Sequence, residues 1–258
     1  MPPNDHRLHV VIPARYASSR LPGKPLLDLG GRPMVARVHD IVANALPAVD
    51  AVVAADDQRI LDALKAIGVP AVATDVNHHS GSDRIAQVAR ELGWADDDIV
   101  INVQGDEPLV PPALVTQFAN FCASRDDFAM GTVSVPIESH GQIHDPNVVK
   151  VVVDSHDRAI TFSRAPIPYE RDVPPASWNP ANHVRHVGMY AYTVSTLLTL
   201  TAAPPAPIER IEKLEQLRAL WLGIPIHVLH TPTAPPTGVD TPEDADRVAA
   251  LLSRKPAT

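Results

Sequence analysis

Three permanent cations, Arg15, Arg20 and Lys24, fall within ten residues near the start of the chain. No acidic residue occurs between Asp5 and Asp28, although the 258-residue chain has a formal net charge of -8. Such cations, with the N–H groups of a loop shaped by Pro22, Gly23 and Pro25, suit a polyanion, most simply a nucleoside triphosphate. Arginine offers a planar fork to two phosphate oxygens, and lysine a compact charge where a leaving pyrophosphate gathers electrons. A solvated basic loop is the plainer reading, and the two prolines and the glycine favour a loop of defined shape. Lys24 is followed by Pro25 rather than a hydroxyl residue, and position 18 is Ser, so this is not a Walker A loop. No Gly-x-Gly-x-x-Gly follows the first apolar run, which argues against a dinucleotide oxidoreductase.

Two carboxylates could complete the chemistry. Asp106 lies in Gln104-Gly-Asp-Glu-Pro108, just past the apolar run Ile99–Val103, where sheets flanked by helices expose their functional residues. A carboxylate there suits Mg²⁺, which takes hard oxygen ligands and keeps several waters. Gly-Asp-x-Pro is also ordinary turn chemistry, and both readings stand on these residues alone. Asp240 precedes Thr241-Pro-Glu-Asp244, a good helix start. Thr241 can cap that helix, which leaves Asp240 for other work. The histidines at His78-His79 and at His183 and His186 lack a Cys or Glu at ligand spacing, so surface or pocket roles outrank zinc. Cys122, on an apolar helix, reads as a buried thiol.

The elements that must position these groups follow an alternating pattern. Leu8–Ile12, Ala51–Ala55, Val69–Thr74 and Ile99–Val103 read as strands, separated by helices over Pro33–Leu46, from Asp56 or Asp57 to Ile67, and over Ser80–Leu92. This βαβα rhythm predicts a mainly parallel sheet with helices on both faces. Beyond Pro111 a helix through Phe121 leads to Met130–Val135, Val148–Asp154, Ala159–Phe162 and Val187–Val194, the strands of a more antiparallel part. A mobile connection is expected over 164–182, one helix over Ile208–Leu222, a strand at Ile226–Leu229, a closing helix over Thr241–Leu252 and a disordered tail at 253–258.

Composition agrees. Hydrophobic residues make up 45% and aromatics only 4%, so the core must be aliphatic, as parallel strands under helices require. A single cysteine fits a reducing compartment, and the acidic balance argues against a nucleic-acid surface. No signal-peptide core or membrane-spanning run is evident, so a soluble, cytoplasmic chain is expected.

Ile12-Pro-Ala-Arg-Tyr-Ala-Ser-Ser-Arg-Leu-Pro-Gly-Lys-Pro-Leu26 resembles the opening loop of the sugar-acid cytidylyltransferases, and within them of those acting on 3-deoxy-manno-octulosonate (KDO). The likeness continues in Asn102-Val-Gln-Gly-Asp-Glu-Pro108, Phe162-Ser-Arg164, Arg185-His-Val-Gly188, Leu214-Glu-Gln-Leu-Arg218 and Gly238-Val-Asp-Thr-Pro-Glu-Asp244, in the family's order. It implies an α/β fold: a doubly wound, mostly parallel sheet, nucleotide-diphospho-sugar transferase-like, with a smaller antiparallel extension. A nucleotide-binding lobe over 1–136 and a lobe over 137–258 for sugar-acid binding and dimerisation, the latter returning Asp240 to the metal site, would form one unit. The resemblance assigns the CTP triphosphate to Arg15, Ser19, Arg20 and Lys24 and places Ser80, Ser82 and Arg84 near the cytosine. The family more often has threonine where Ser82 stands. Gln104 becomes a sugar-contacting amide, Asp106 and Asp240 the Mg²⁺ carboxylates, and Arg164, His186, Tyr190, Glu215 and Gln216 the sugar-acid pocket. Arg15, Lys24, Asp106 and Asp240 would carry catalysis in a Mg²⁺-dependent homodimer that makes CMP-KDO and pyrophosphate for lipopolysaccharide biosynthesis. Activation of another sugar acid, such as a sialic acid, and non-catalytic nucleotide binding are the alternatives.

Overall fold

The computed structural model describes residues 7–17 and 21–253. The chain divides into two units, Met1–Ala123 with Pro235–Thr258, and Ser124–Ala234.

In the first unit β1 (Leu8–Ala14), α1 (Met34–Ala45), β2 (Asp50–Ala55), α2 (Gln58–Ala66), β3 (Ala71–Ala73), α3 (Gly81–Glu91), β4 (Ile99–Asn102) and α4 (Pro112–Ala123) alternate as expected. The four strands are parallel in the order β3-β2-β1-β4. Central β1 is covered on both faces, with Val10, Val11 and Ile12 fully buried, so its apolar run is continuous rather than alternating. Local chemistry sets the helix ends. The Asp57 carboxylate accepts from Arg59 N and starts α2, and Ser80 and Asp83 form a reciprocal capping box for α3. The closing helix Pro242–Ser253 begins where the Thr241 hydroxyl accepts from Asp244 N at 3.2 Å. It buries Ala245 and Val248 with Val239 against Leu29 and Met34.

The second unit contains β5 (Met130–Pro136), α5 (His140–His144), β6 (Lys150–Val153), β7 (Ala159–Ser163), β8 (Val184–Thr193), α6 (Val194–Ala202), α7 (Pro207–Glu212), α8 (Gln216–Trp221) and β9 (Ile226–His230). β5 runs antiparallel to β8 and parallel to β9, while β6 is antiparallel to both β7 and β8. This is the antiparallel part of the expected fold. The unit boundaries differ from the expected 136/137 division for a physical reason. The ladder partners of β5 come later in the chain and draw Met130–Pro136 into the second unit. The closing helix packs on Leu29 and Met34 and draws the C-terminal stretch into the first.

Two further expectations change. The stretch 164–182 is irregular, but it carries Trp178, 4% exposed, into a cluster with Ile137 and Ile143. The indole N–H donates to Val173 O at 3.0 Å, and the ring stacks on His183. The single helix expected over Ile208–Leu222 is broken at Lys213, whose φ of 54° is left-handed, giving α7 and α8. The expected tail residues 254–258 lie outside the described residues. Among the described residues no helix is long and apolar enough to cross a membrane.

The break between α7 and α8 is held by an ion pair. Arg218 Nε donates to Glu209 Oε2 at 2.9 Å, the same oxygen accepts from Ala206 N at 2.8 Å, and both charged side chains are 11% exposed. Glu209→Ala would leave a largely buried guanidinium without its carboxylate, so a loss of about 3–5 kcal/mol in urea unfolding is expected. A loss below about 0.5 kcal/mol, typical of a surface change, would show that the pair is not structural.

Candidate active site

The cationic loop is built outward from β1. Tyr16 N donates to Asp56 Oδ1 at 2.9 Å, and Gly23 N returns to Tyr16 O at 3.1 Å, which closes the loop on itself. The Arg59 guanidinium lies 3.5 Å from the centre of the Tyr16 ring. Gly23 has φ of 73°, which favours glycine, and a Cβ there would also crowd the Tyr16 hydroxyl at 3.3 Å. The short 3₁₀ turn Lys24–Leu26 then aims Lys24 inward. Ser19 and Arg20 lie outside the described residues.

Lys24 meets both carboxylates. Its Nζ donates to Asp106 Oδ2 at 2.7 Å and to Asp240 Oδ1 at 2.9 Å. Burial opposes the ammonium's charge, but the hydrogen bonds and charges of Asp106 and Asp240 outweigh it, and the Lys24 pKa is raised. Residues 216 positions apart, Lys24 and Asp240, therefore share a site with Asp106. The backbone enforces the meeting. Val239 N donates to Asp106 O at 2.8 Å, beside Gly238, whose added Cβ would stand 2.8 Å from that same oxygen. On the other side, a Cβ at Gly105 would stand 2.7 Å from Pro13 O. Both approaches are possible only without a side chain.

A cleft of about 380 Å³ opens here, within the range of small-molecule sites, lined by Arg15, Lys24, Ser80, Arg84, Gln104 and Asp106 among others. Gly81 and Ser80 bring the N-terminal end of α3 to it, a favourable end for negative charge. Two of the expected nucleotide residues have structural duties. Ser80 Oγ accepts from Asp83 N as the helix cap. The Arg84 guanidinium, with its side chain 3% exposed, donates to Asp56 Oδ2 at 3.2 Å and to the Thr74 hydroxyl. Ser82 is buried. Asp56 was not singled out as a site residue, because a helix-start Asp-Asp pair shows nothing of the loop 40 residues earlier that it holds.

In the second unit, of the residues expected to bind the sugar acid, His186, Tyr190 and Glu215 are neighbours. His186 lies 5.4 Å from the Tyr190 ring, and Tyr190 feels the Glu215 charge. Burial, then Tyr192 and Glu215, raises the Tyr190 pKa well above its ordinary value. Burial, reinforced by Arg185, pushes the His186 pKa down to about 3. The Thr132 hydroxyl lies 2.9 Å from His186 Nε2 and 2.9 Å from Met189 O. Its one hydrogen goes to the carbonyl, which can only accept, so Nε2 is assigned the ring proton and Nδ1 is left as an acceptor. Gln216 is 5% exposed, and its Nε2 is a buried donor with no partner among the described residues. A ligand oxygen would satisfy it. Arg164 stands apart from these groups: its Nε donates to Glu212 O at 2.7 Å and Nη1 to Pro146 O at 2.8 Å. It thereby caps the end of α7.

The fold and this site define a nucleotidyl-transferring protein, and the chain belongs to the cytidylyltransferase family, which it matches from residue 9 to 226. It is 54% identical over 246 residues to 3-deoxy-manno-octulosonate cytidylyltransferase 2 of Paraburkholderia phytofirmans, covering 95% of this chain and 94% of that protein. It is 51% identical to the 3-deoxy-manno-octulosonate cytidylyltransferase of Thioalkalivibrio sulfidiphilus, over 94% of this chain and 98% of that one. Its fold superposes with a TM-score of 0.87 on a CMP:2-keto-3-deoxy-manno-octonic acid synthetase complexed with CTP, at 38% identity, covering 96% and 98% of the two chains.

Two measurements test this geometry. Gly238→Ala should keep the fold yet shift Asp240 and lower nucleotidyl transfer about 100-fold, as misplacement of a reacting group by about 1 Å does. Near-normal turnover would mean that the close approach to Asp106 is dispensable. In NMR titration the His186 ring should stay neutral from pH 8 to pH 5 and gain its proton only near its folded pKa of about 3. Its depressed pKa also removes folding stability as pH falls below the ordinary histidine value. A midpoint near 6.5 would contradict its burial.

Proposed function

We propose that the protein joins CTP and 3-deoxy-manno-octulosonate to give CMP-KDO and pyrophosphate, activating the sugar acid for lipopolysaccharide biosynthesis. The observation that carries this reading is the meeting of Asp106 and Asp240 on one ammonium, Lys24, in a chain more than half identical to a KDO cytidylyltransferase. The anomeric 2-hydroxyl of the sugar acid attacks the α-phosphorus in line, and pyrophosphate leaves. Lys24 has three N–H donors, two of them held by the carboxylates, so a third can reach a phosphate oxygen. Arg15 and Arg20 join it in stabilising the β- and γ-phosphates as charge builds on them. Ser19 and the loop N–H groups assist, and Ser80, Ser82 and Arg84 shape the cytosine end. Arg84 does so through Asp56 and Thr74, which it already holds.

Asp106 and Asp240 suit Mg²⁺. They are hard oxygen donors, 40% and 62% exposed, and already converge on one cation. Among the described residues no third His, Cys, Asp or Glu joins them. That is the donor count expected of a magnesium site completed by waters and substrate phosphates. Bound there, Mg²⁺ would lower the pKa of the acceptor hydroxyl and offset charge on the α-phosphate. On the acceptor side, Gln216 Nε2 and His186 Nδ1 supply a donor and an acceptor for sugar hydroxyls. Tyr190 and Glu215 border them; Gln104 is proposed as a sugar-contacting amide and lines the cleft of the first unit. Arg164 holds the turn that carries Glu215 and Gln216. A homodimer is the proposed assembly. The exposed Ile211 and Trp221 of α7 and α8, 82% and 63% exposed, support that face as its interface.

Pyrophosphate release tests the reading. The protein with CTP, KDO and Mg²⁺ should release pyrophosphate, and omission of any one should stop it. Lys24→Ala should lower kcat/KM for CTP by roughly 100- to 1,000-fold. Asp106→Asn and Asp240→Asn should each abolish most turnover, with the double variant little worse than either. Turnover with a sialic acid in place of KDO, or none with any sugar acid, would overturn the assignment.

A further inference from the structure

Lys150 is a lysine with no exposed surface. It begins β6, in register opposite Ser163 of β7 and Arg185 of β8. Its ammonium donates to two backbone carbonyls, Arg164 O at 2.7 Å and Asp145 O at 3.0 Å. Asp145 and Glu212 are the nearest carboxylate charges, Arg164 opposes them, and burial lowers the lysine's pKa. A strand asking only for stability would carry an apolar residue here, because a buried cation is costly unless it is paired and fully hydrogen-bonded.

The position of the two carbonyls suggests the use. Arg164 O belongs to the residue that directly follows β7. From that residue the Arg164 backbone N–H donates to Glu212 Oε2 at 3.0 Å, and its guanidinium to Glu212 O and Pro146 O. Ser163 Oγ donates to the other Glu212 oxygen at 2.7 Å. Glu212 closes α7, just before the left-handed Lys213 and the turn that presents Glu215 and Gln216. On the other side, His186 N donates to Val149 O at 2.8 Å, the residue next to Lys150. One ammonium thus fixes the peptide from which Arg164 holds the Glu215–Gln216 turn, and its own strand abuts His186.

We propose that Lys150 is a positioning residue for the sugar-acid acceptor, acting through the Arg164 peptide that its ammonium holds. This rests on the reading of the second unit's residues as the acceptor site. It separates Lys150 from a general structural role, because the effect should fall on one substrate alone.

The test is the pair of Michaelis constants. Lys150→Met, which keeps the length of the chain without the charge, should raise the KM for KDO at least 10-fold and leave the KM for CTP within twofold. Lys150→Gln, which keeps two of the three N–H donors without the charge, should fall between it and the wild type. In an Arg164→Ala background, Lys150→Met should add less than a threefold further rise, since the two act as one unit. Thermal melts of each variant establish whether it folds. Equal rises in both constants, a fall in kcat with both constants unchanged, or loss of a cooperative melt in both Lys150 variants would overturn the proposal in favour of a purely structural lysine. A wild-type protein that releases no pyrophosphate from CTP and KDO would instead overturn the reading of function, and this proposal with it.

Discussion

The bridge from Lys24 to Asp106 and Asp240 is the constraint on which the nucleotide cleft depends. Two carboxylates brought together without a cation repel, and they would be driven apart or protonated. With the ammonium between them the repulsion is offset and one of the two negative charges is balanced before any ligand enters, and hydrogen bonds on both sides set the geometry. The backbone is shaped to permit this. Gly238 lets Asp106 O approach and accept from Val239 N, and Gly105 lets Pro13 O come in from β1. Segments from the beginning, middle and end of the chain therefore meet within hydrogen-bonding distance, where a single methyl group would push them apart.

A second layer keeps the cationic loop in place. Asp56 accepts from Tyr16 N with one oxygen and from Arg84 with the other, and its side chain is 2% exposed. A buried ion pair of this kind is a weak source of net stability, since desolvation offsets much of the attraction. What it supplies is definition. The loop that carries Arg15 and Lys24 is tied to the end of β2 and the first turn of α3, so its course is fixed by the protein itself. Preorganised charge of this sort favours a developing anion without reorganising during the reaction.

The second unit uses its cations differently. Lys150, Arg164 and Arg218 all direct donors at backbone carbonyls, and each holds an irregular stretch rather than a regular element. Arg218 pairs with Glu209 in the first turn of α7, and Arg164 takes the Glu212 carbonyl at the end of α7. The break follows: α7 ends where Arg164 takes the Glu212 carbonyl, and a helix continuing through Lys213 would need that carbonyl for itself. The family match and the 38% identity to the CTP-complexed synthetase extend through this unit as well as the first.

Much of this was legible in the sequence because it is local. The apolar runs of β1 and β4, the Asp57 and Ser80 caps and the Thr241 start of the closing helix each arise from neighbours within a few residues. The two aspartates and the cationic loop could be named from their types and from motifs kept in order along the chain. The split of the helix at Lys213 could not be read, since the apolar period runs straight through it and the competing partner, Arg164, lies 48 residues away. Trp178 was hidden in the same way, in a proline-rich stretch without apolar period whose partners Ile137 and Ile143 come earlier. Arg84 lines the cleft, but its partner Asp56 was chosen by the packing of α3 against β2. The sequence by itself determined which groups this protein possesses and which short elements carry them. Only the tertiary structure decided which of those groups face one another, because a contact across 82 or 216 residues leaves no local period or spacing to betray it.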